Sequence, residues 1–338
     1  MRVSEALKDV PRITNETVAE HREEVLGSAR KFIYPLQHSK HRVVRTSIFL
    51  LIAVLVAFFV YCSVALYRFQ STSGFIYGVT RVVPFPVAKA GPSWVSYESY
   101  LFELRRNIHY YQTQQSVDFS SKEGKSQLKS LKEQAYNQVI QDAYVKQLAT
   151  KNNVSVSNQT VNNQIALVRA QNRLGSSERV FKEVLSEFWG WNETDFKREL
   201  KQQLLQQAVV ARLDTATKAR ATAALQQLKT GADFAKLAGE VSDDTATKAN
   251  GGQYPIAITP DNADLAPTIT AELFKLQPGQ ISDIVNPGYT LEILKAISGD
   301  KKSVSAAHIQ FNLNDIKVYT DPLKKANEPR AFINIEYK

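Results

Sequence analysis

Hydrophobic positions along the chain fall into three successive patterns. An apolar run of 22 residues without a single charge lies between Arg45 and Arg68. From about Ser93 to Val210, apolar residues then recur every three or four positions, which predicts helices. Beyond that region, shorter runs bounded by Gly and Pro predict a small domain of helices and strands. The expected fold class is α+β, with one N-terminal transmembrane helix, an all-helical domain and a small α+β domain.

The apolar run predicts a transmembrane helix over residues 46–67. At a rise of about 1.5 Å per residue it spans about 30 Å, which is the thickness of the hydrocarbon core. A long polar segment precedes it and no small-residue cleavage site follows, which argues against a cleaved signal peptide. Basic residues cluster before the run: Arg30, Lys31, Lys40, Arg42 and Arg45. The positive-inside rule therefore predicts a cytoplasmic tail at residues 1–45 and extracytoplasmic domains after the helix.

The region 93–210 predicts several helices joined by short loops. One apolar stripe is formed by Leu128, Leu131, Ala135, Val139 and Ala143. Asn192 and Asp195 have the spacing of a capping box. No combination of acid, base and nucleophile stands out, which favours a binding scaffold. The preceding residues 68–92 are punctuated by prolines and predict an extended linker.

Residues 211–300 predict the small α+β domain, with the element order β-α-α-β-α-β. The run "AVVARLDT" predicts its first strand, "NGGQYPIAI" a turn into a second, and "GYTLEILKAI" the closing strand. Between them, "TKARATAALQQLKTGADFAKLAGEVS" and "ITAELFKLQPGQISDIV" contain helical patterns, the latter ended by a Pro-Gly turn.

Charge and composition narrow the classes of function. The net charge is +9, but only +3 of it lies before Thr46, and no basic face with interleaved aromatics appears. This disfavours nucleic-acid binding and is compatible with a nearby anionic lipid or wall polymer. Cys62 is the single cysteine, so no disulfide is expected. Of the five histidines, only His38 and His41 are close in sequence, and they lie in a basic run, so neither a metal site nor a cofactor is predicted.

The helical region resembles the N-terminal chaperone region of the SurA/PrsA/PpiD foldases. The motifs that carry the resemblance occur in order within Trp94–Leu213: "ATKNNVSVS", "VNNQI", "FKEVL" and "DFKREL". Members of this bacterial group are extracytoplasmic, and several are held by an N-terminal membrane helix. The resemblance implies a protein-folding factor that binds unfolded or nascent secreted polypeptides.

The small domain resembles the parvulin, or PpiC, class of peptidyl-prolyl cis-trans isomerases. The matching motifs are "LKTGADFAKLA", "SDD" followed by "NGG", "FKLQPGQISD" and "GYTLEIL". Parvulins carry one His on the first strand, another on the closing strand, a Cys or Asp between them and an apolar slot for proline. By position, Arg212 and Thr290 occupy the two histidine places, and Asp261 is a loose candidate for the polar residue. Without these histidines, the resemblance implies a rotamase that is weak or inactive.

The proline slot implied by the resemblance is apolar and aromatic. Its candidate residues are Leu265, Ile269, Phe274, Tyr254 and Tyr289. The first three are equally compatible with ordinary core packing.

The C-terminal extension, residues 301–338, predicts a strand, a short helix and a second strand. Its segment "SVSAAHIQFNLNDI" is similar to the first strand of a parvulin, with His308 in the place of the family's His. Either it is a vestigial repeat, or the strand returns to complete the existing domain. If it lies beside the closing strand, His308 supplies a polar group that the domain otherwise lacks.

These patterns together favour a membrane-anchored extracytoplasmic foldase whose clients are unfolded secreted chains. Two alternatives stay open, a fully active prolyl isomerase and a non-catalytic membrane tether. A homodimer is compatible with the helical region, although no apolar seam assigns it.

Overall fold

The structure is a computed structural model that describes residues 14–33, 36–170 and 177–335. Parts of the predicted tail, of the helical domain and of the C-terminal extension lie outside these described residues. The chain divides into two compact units, residues 1–69 and 70–338.

The helices and strands follow one another along the chain. The helices are α1 Asn15–Ile33, α2 Leu36–Ser63, α3 Gly74–Val82, α4 Tyr97–Thr113, α5 Lys122–Lys151, α6 Asn158–Ala170, α7 Glu178–Trp189, α8 Glu193–Leu213, α9 Thr215–Lys229, α10 Phe234–Val241, α11 Pro267–Leu273 and α12 Lys317–Ala326. The strands are β1 Pro86–Ala90, β2 Ser93–Ser96, β3 Thr290–Gly299, β4 Val304–Asn312 and β5 Arg330–Ala331.

The first unit contains the predicted membrane segment. Within the described part of the chain, one helical stretch, Arg42–Arg68, is long and apolar enough to cross a membrane by length and composition. Its last turn, Val64–Arg68, is π-helical. The helix therefore covers the whole of the predicted span, residues 46–67.

The prediction of an extended linker at residues 68–92 is wrong for its middle part. Ser73 caps α3, because its hydroxyl oxygen accepts a hydrogen bond from the Ile76 amide at 3.3 Å. The prolines follow this helix, and Pro86 begins β1, which pairs antiparallel with β2. The Ser73 cap and the pairing of β1 with β2 thus give this segment regular structure. In the sequence, only its prolines indicate a conformation, and they indicate an extended one.

The second unit begins with a helical lobe, residues 70–213, in which α4, α5 and α8 pack together. The predicted capping box at the start of α8 is present, with Asn192 and Asp195 bonded to each other's backbone amides. The run predicted as a first strand, "AVVARLDT", is instead helical: its first six residues end α8, Asp214 follows as the cap, and Thr215 begins α9. Val209 and Val210 are buried there against α5, and this packing overrides their strand propensity.

The second part of this unit is the sheet domain, residues 214–312. Its centre is the antiparallel pair β3–β4, in which Leu294 lies opposite His308. Because side chains alternate across a strand, the two faces bury different sets. One face packs against α9 and α10 through Leu291, Ile293, Ala307, Ile309 and Phe311. The other packs against α11 through Leu294, Ala296, Val304 and Ala306.

The C-terminal extension is shared between the two parts. Its first strand, β4, completes the sheet, which is one of the two alternatives expected from the sequence. Ile316 and α12 then pack on α5 and α8. β5 pairs with β1, and Phe332 stacks on Trp94 with ring centroids 5.8 Å apart. The sheet domain is therefore inserted between two segments of the helical lobe.

Candidate functional site

A buried polar cluster lies on the α11 side of the sheet. Glu292 of β3 and His308 of β4 are diagonal neighbours, because His308 lies opposite Leu294 and Glu292 lies two positions before it. Asp244 and Thr247 approach from the loop after α10. This loop is held against β4 by the backbone of Gly252, whose carbonyl accepts from the His308 amide at 2.9 Å.

Both ring nitrogens of His308 lie at hydrogen-bond distance from carboxylates. Nδ1 lies 2.9 Å from Oε2 of Glu292. Nε2 lies 2.9 Å from Oδ2 of Asp244 and 3.1 Å from the Thr247 hydroxyl. That hydroxyl donates to the same Asp244 oxygen at 2.5 Å. The side chains of His308, Glu292 and Asp244 are 5%, 9% and 20% exposed, so Asp244 is the member nearest to solvent.

The electrostatics of the cluster favour its charged form. Burial disfavours the imidazolium, but the hydrogen bonds and charges of Glu292 and Asp244 outweigh it and raise the pKa of His308 above its usual value. Burial likewise opposes the Asp244 carboxylate. Hydrogen bonds from Thr247, the Ala246 amide and His308 prevail and lower the pKa of Asp244.

An apolar wall adjoins the cluster on the same face of the sheet. Tyr254 stacks on the His308 ring with centroids 4.5 Å apart. Leu265, Phe274 and Tyr254 are half-buried and pack against a core that contains the fully buried Ile269. Four of the five predicted slot residues therefore surround one core next to His308, whereas their role toward a ligand stays a prediction.

The other predicted site residues lie elsewhere or act indirectly. Arg212 is exposed in the last turn of α8, not on a strand, because the predicted first strand is helical. Asp261 is exposed and accepts a hydrogen bond from Thr259. Tyr289 is 57% exposed, and its hydroxyl lies 3.4 Å from Nε2 of Gln203. Thr290 joins the cluster, since its hydroxyl donates to Oε1 of Glu292 at 2.9 Å.

Sequence reasoning singled out neither Asp244 nor Glu292 as a site residue. The sequence feature that contains Asp244 is the "SDD" motif, which supports the resemblance to the parvulin fold but does not identify Asp244 as a site residue. The signal for Glu292 was a lone carboxylate within the apolar strand "TLEILKAI". A buried charge at such a position requires a partner, and His308 is that partner. Among the described residues, no group of three potential ligands is arranged to hold a metal ion.

The helical lobe contains a concave surface of its own. A cleft of about 370 Å³ is lined by apolar groups and by charged side chains of α4, α5 and α8. Arg106 lies 2.9 Å from Oε2 of the buried Glu103, although not in hydrogen-bond geometry. Burial and the neighbouring Glu199 raise the pKa of Glu103, and burial also raises the pKa of Asp142 to about 6. The cleft thus combines apolar surface with buried acidic groups.

Comparisons with known proteins agree with this architecture. Residues 35–210 match the SurA-like N-terminal domain, and residues 203–298 match the PPIC-type PPIASE domain. The class that this defines is a chaperone-like helical lobe joined to a parvulin-type rotamase domain. The chain belongs to the SurA-like N-terminal domain family. Its rotamase match is to the PPIC-type domain, and the curated proteins similar to it include foldases named PrsA and a parvulin-like PPIase.

Several curated relatives are similar over part of their length. A parvulin-like PPIase of Rickettsia bellii is 31% identical over 48% of this chain and 57% of its own. Foldase protein PrsA 2 of Listeria monocytogenes is 33% identical over 37% of this chain and 53% of its own. Foldase protein PrsA of Clostridium kluyveri is 27% identical over 42% of this chain and 40% of its own. The chain thus spans about two fifths to three fifths of the length of these relatives.

The rotamase match and the structural domain have different boundaries. The match begins inside α8 and ends at residue 298, before β4. The strand that carries His308, which the resemblance would place first in the domain, therefore comes last in the sheet domain. It nevertheless pairs with β3 along its full length.

Proposed function

We propose that the protein is a membrane-anchored extracytoplasmic foldase whose sheet domain catalyses prolyl cis-trans isomerisation. The observation that carries the proposal is the contact between His308 and Asp244 beside the apolar wall, within a domain of the rotamase class. Positions 212 and 290 carry Arg and Thr instead of the two family histidines. This argues less strongly against isomerase activity, because β4 contributes the imidazole of His308 to the cluster from the other end of the domain.

The proposed chemistry needs no cofactor and no covalent step. The barrier to rotation about a peptide bond is about 18–20 kcal/mol and comes from amide resonance, which places negative charge on the carbonyl oxygen. A proline ring held by Leu265 and Tyr254 would bring that carbonyl near Asp244, the most exposed member of the cluster. A carboxylate there disfavours the planar, charge-separated amide relative to the twisted one. Each 1.36 kcal/mol of such preference gives about tenfold in rate.

The test is isomerisation of a short proline peptide by the full chain in lipid nanodiscs. We expect Asp244→Asn and Leu265→Ala each to lower kcat/KM at least about tenfold, because one removes the charge and the other the ring contact. Asp283→Asn is the matched control, since Asp283 is 85% exposed and paired with Lys229. A parent protein that does not accelerate the peptide would contradict the isomerase function.

The helical lobe is proposed to hold unfolded clients. Its cleft offers apolar walls with a few charged groups, which suits clients of varied sequence. Suppression of aggregation of a reduced, unfolded protein measures this activity separately. It should persist in Asp244→Asn. Isomerisation without aggregation suppression would indicate a plain isomerase, and the absence of both activities would indicate a tether.

The proposed topology has a test of its own. In a Cys62→Ala background, the variant Ser303→Cys should react with a membrane-impermeant maleimide added to intact cells. The variant Thr14→Cys should react only after the cells are lysed, because the positive-inside rule places the N-terminus in the cytoplasm. The opposite labelling pattern would contradict the proposed anchoring.

A further inference from the structure

We propose that Glu292 is a positioning residue of this site: it holds His308 as a doubly protonated imidazolium, which in turn fixes the Asp244 carboxylate on the solvent side of the site. The effect on rate rests on the proposed isomerase function. The protonation state of His308 does not, and it can be measured in a protein without any activity.

With both neighbouring carboxylates ionised, the hydrogen bonds around His308 require two N–H groups. A neutral imidazole carries one N–H donor and one lone pair, whereas an ionised carboxylate only accepts. Glu292 faces Nδ1 and Asp244 faces Nε2, each at 2.9 Å. The Thr247 hydrogen is already directed to Asp244. With either neutral tautomer, one ring nitrogen would therefore present its lone pair to an oxygen lone pair.

The contacts of Glu292 fix its carboxylate against Nδ1 of His308. One carboxylate oxygen accepts from the Thr290 hydroxyl and the other faces His308. Its backbone amide and carbonyl are both bonded to Val285 at 2.8 Å, so the strand cannot shift without breaking that pairing. Among the residues that the structure describes, His308 is the cationic group within ion-pair distance of Glu292. A buried carboxylate without a cation is costly, and this ties the charges of the two residues together.

The groups that face the imidazole come from two elements. Glu292 belongs to β3, and Asp244 and Tyr254 belong to the segment between α10 and α11. The tyrosine stays neutral, because burial and the two carboxylates raise its pKa. Two carboxylates and one imidazolium leave a single net negative charge. Asp244, being more exposed than Glu292, is where that charge meets a ligand.

The pH dependence of stability distinguishes the positioning role of Glu292 from a purely structural role. A raised His308 pKa means that the stability gained from the charged ring is fully present below about pH 6.5 and is lost as the pH rises through the folded-state pKa. Removing the Glu292 charge should move that loss to lower pH. A residue that merely filled space would leave the position of the loss unchanged.

The decisive measurement is ¹⁵N NMR of the full chain in nanodiscs, labelled at histidine, with the His308 signals assigned by their absence in His308→Asn. At about pH 7 we expect both ring nitrogens of His308 to have protonated shifts. In Glu292→Gln the titration midpoint should fall by about one unit or more. In Glu272→Gln, which removes an equal charge from the surface of α11, it should not move. A His308 that is neutral in the parent protein at this pH, or an unshifted midpoint in Glu292→Gln, overturns the proposal.

Peptide isomerisation supplies the second readout. Between its own lowered midpoint and the midpoint of the parent, Glu292→Gln should lose about tenfold in kcat/KM, with KM little changed, and it should approach the parent below that window. Equal activity of the two proteins across the pH range would overturn the positioning role. Should Glu292→Gln not fold, the protonated shifts in the parent protein still decide the first half of the proposal. A parent protein without isomerase activity refutes the proposed function, while the NMR result still decides the role of Glu292.

Discussion

Replacement of Phe311 by alanine should lower the free energy of unfolding of the sheet domain by about 3–4 kcal/mol. Phe311 is fully buried on β4, opposite Leu291, in the core that joins the sheet to α9 and α10. Truncation leaves a cavity beneath two helices in addition to the lost burial. The effect should be large although the rotamase match ends before this residue.

Amide hydrogen exchange of β3 and β4 is the suitable measurement. The three tryptophans, Trp94, Trp189 and Trp191, lie in the helical lobe, so their fluorescence does not report on the sheet. The matched control is Ile297→Ala on β3, because Ile297 is 40% exposed and should cost about 1 kcal/mol or less. If both variants exchanged equally fast, β4 would not be part of the cooperative core.

Local patterns predict much of this fold because the features concerned are themselves local. The long apolar helix Arg42–Arg68 is predicted by an uninterrupted apolar run, and the start of α8 is predicted by its Asn192 capping box. The prediction for the end of α8 is wrong, since "AVVARL" has strand propensity that only contact with α5 overrides. The same kind of error assigned Arg212 to a strand. Tertiary packing decides such short runs, and a single sequence does not contain that contact.

The site is harder to predict because its residues come from three separated segments. Asp244 and His308 are 64 positions apart, and Glu292 lies between them in sequence. The resemblance directs the search for the first His to the vicinity of residue 212, where the domain begins. The chain instead supplies it after the closing strand, and the similarity of "SVSAAHIQF" to a first strand is the one clue. Register then matters most, because a shift by one residue would turn His308 to the opposite face.

Gly252→Ala should be the most damaging small substitution at the site. A Cβ there would lie 2.1 Å from the His308 carbonyl oxygen, and Gly252 has a φ of 78° that favours glycine. Because the clash is with backbone, the loop after α10 or β4 itself must move. We expect a loss of about 3 kcal/mol or more in sheet-domain stability, the sum of φ strain and overpacking, and faster exchange at the His308 amide.

Gly279→Ala isolates the contribution of the clash. Gly279 has a similar φ of 84°, but nothing lies within 4 Å of the position that an alanine methyl group would take, so only strain of about 1–2 kcal/mol is added. The difference between the two variants therefore measures the close approach of the Asp244 loop to β4. That approach places Asp244 and Thr247 against His308, so Gly252→Ala should also shift the His308 titration, whereas Gly279→Ala should not. Equal destabilisation by the two variants, with unchanged His308 shifts, would mean that the loop tolerates separation from β4 and that the cluster does not depend on this contact.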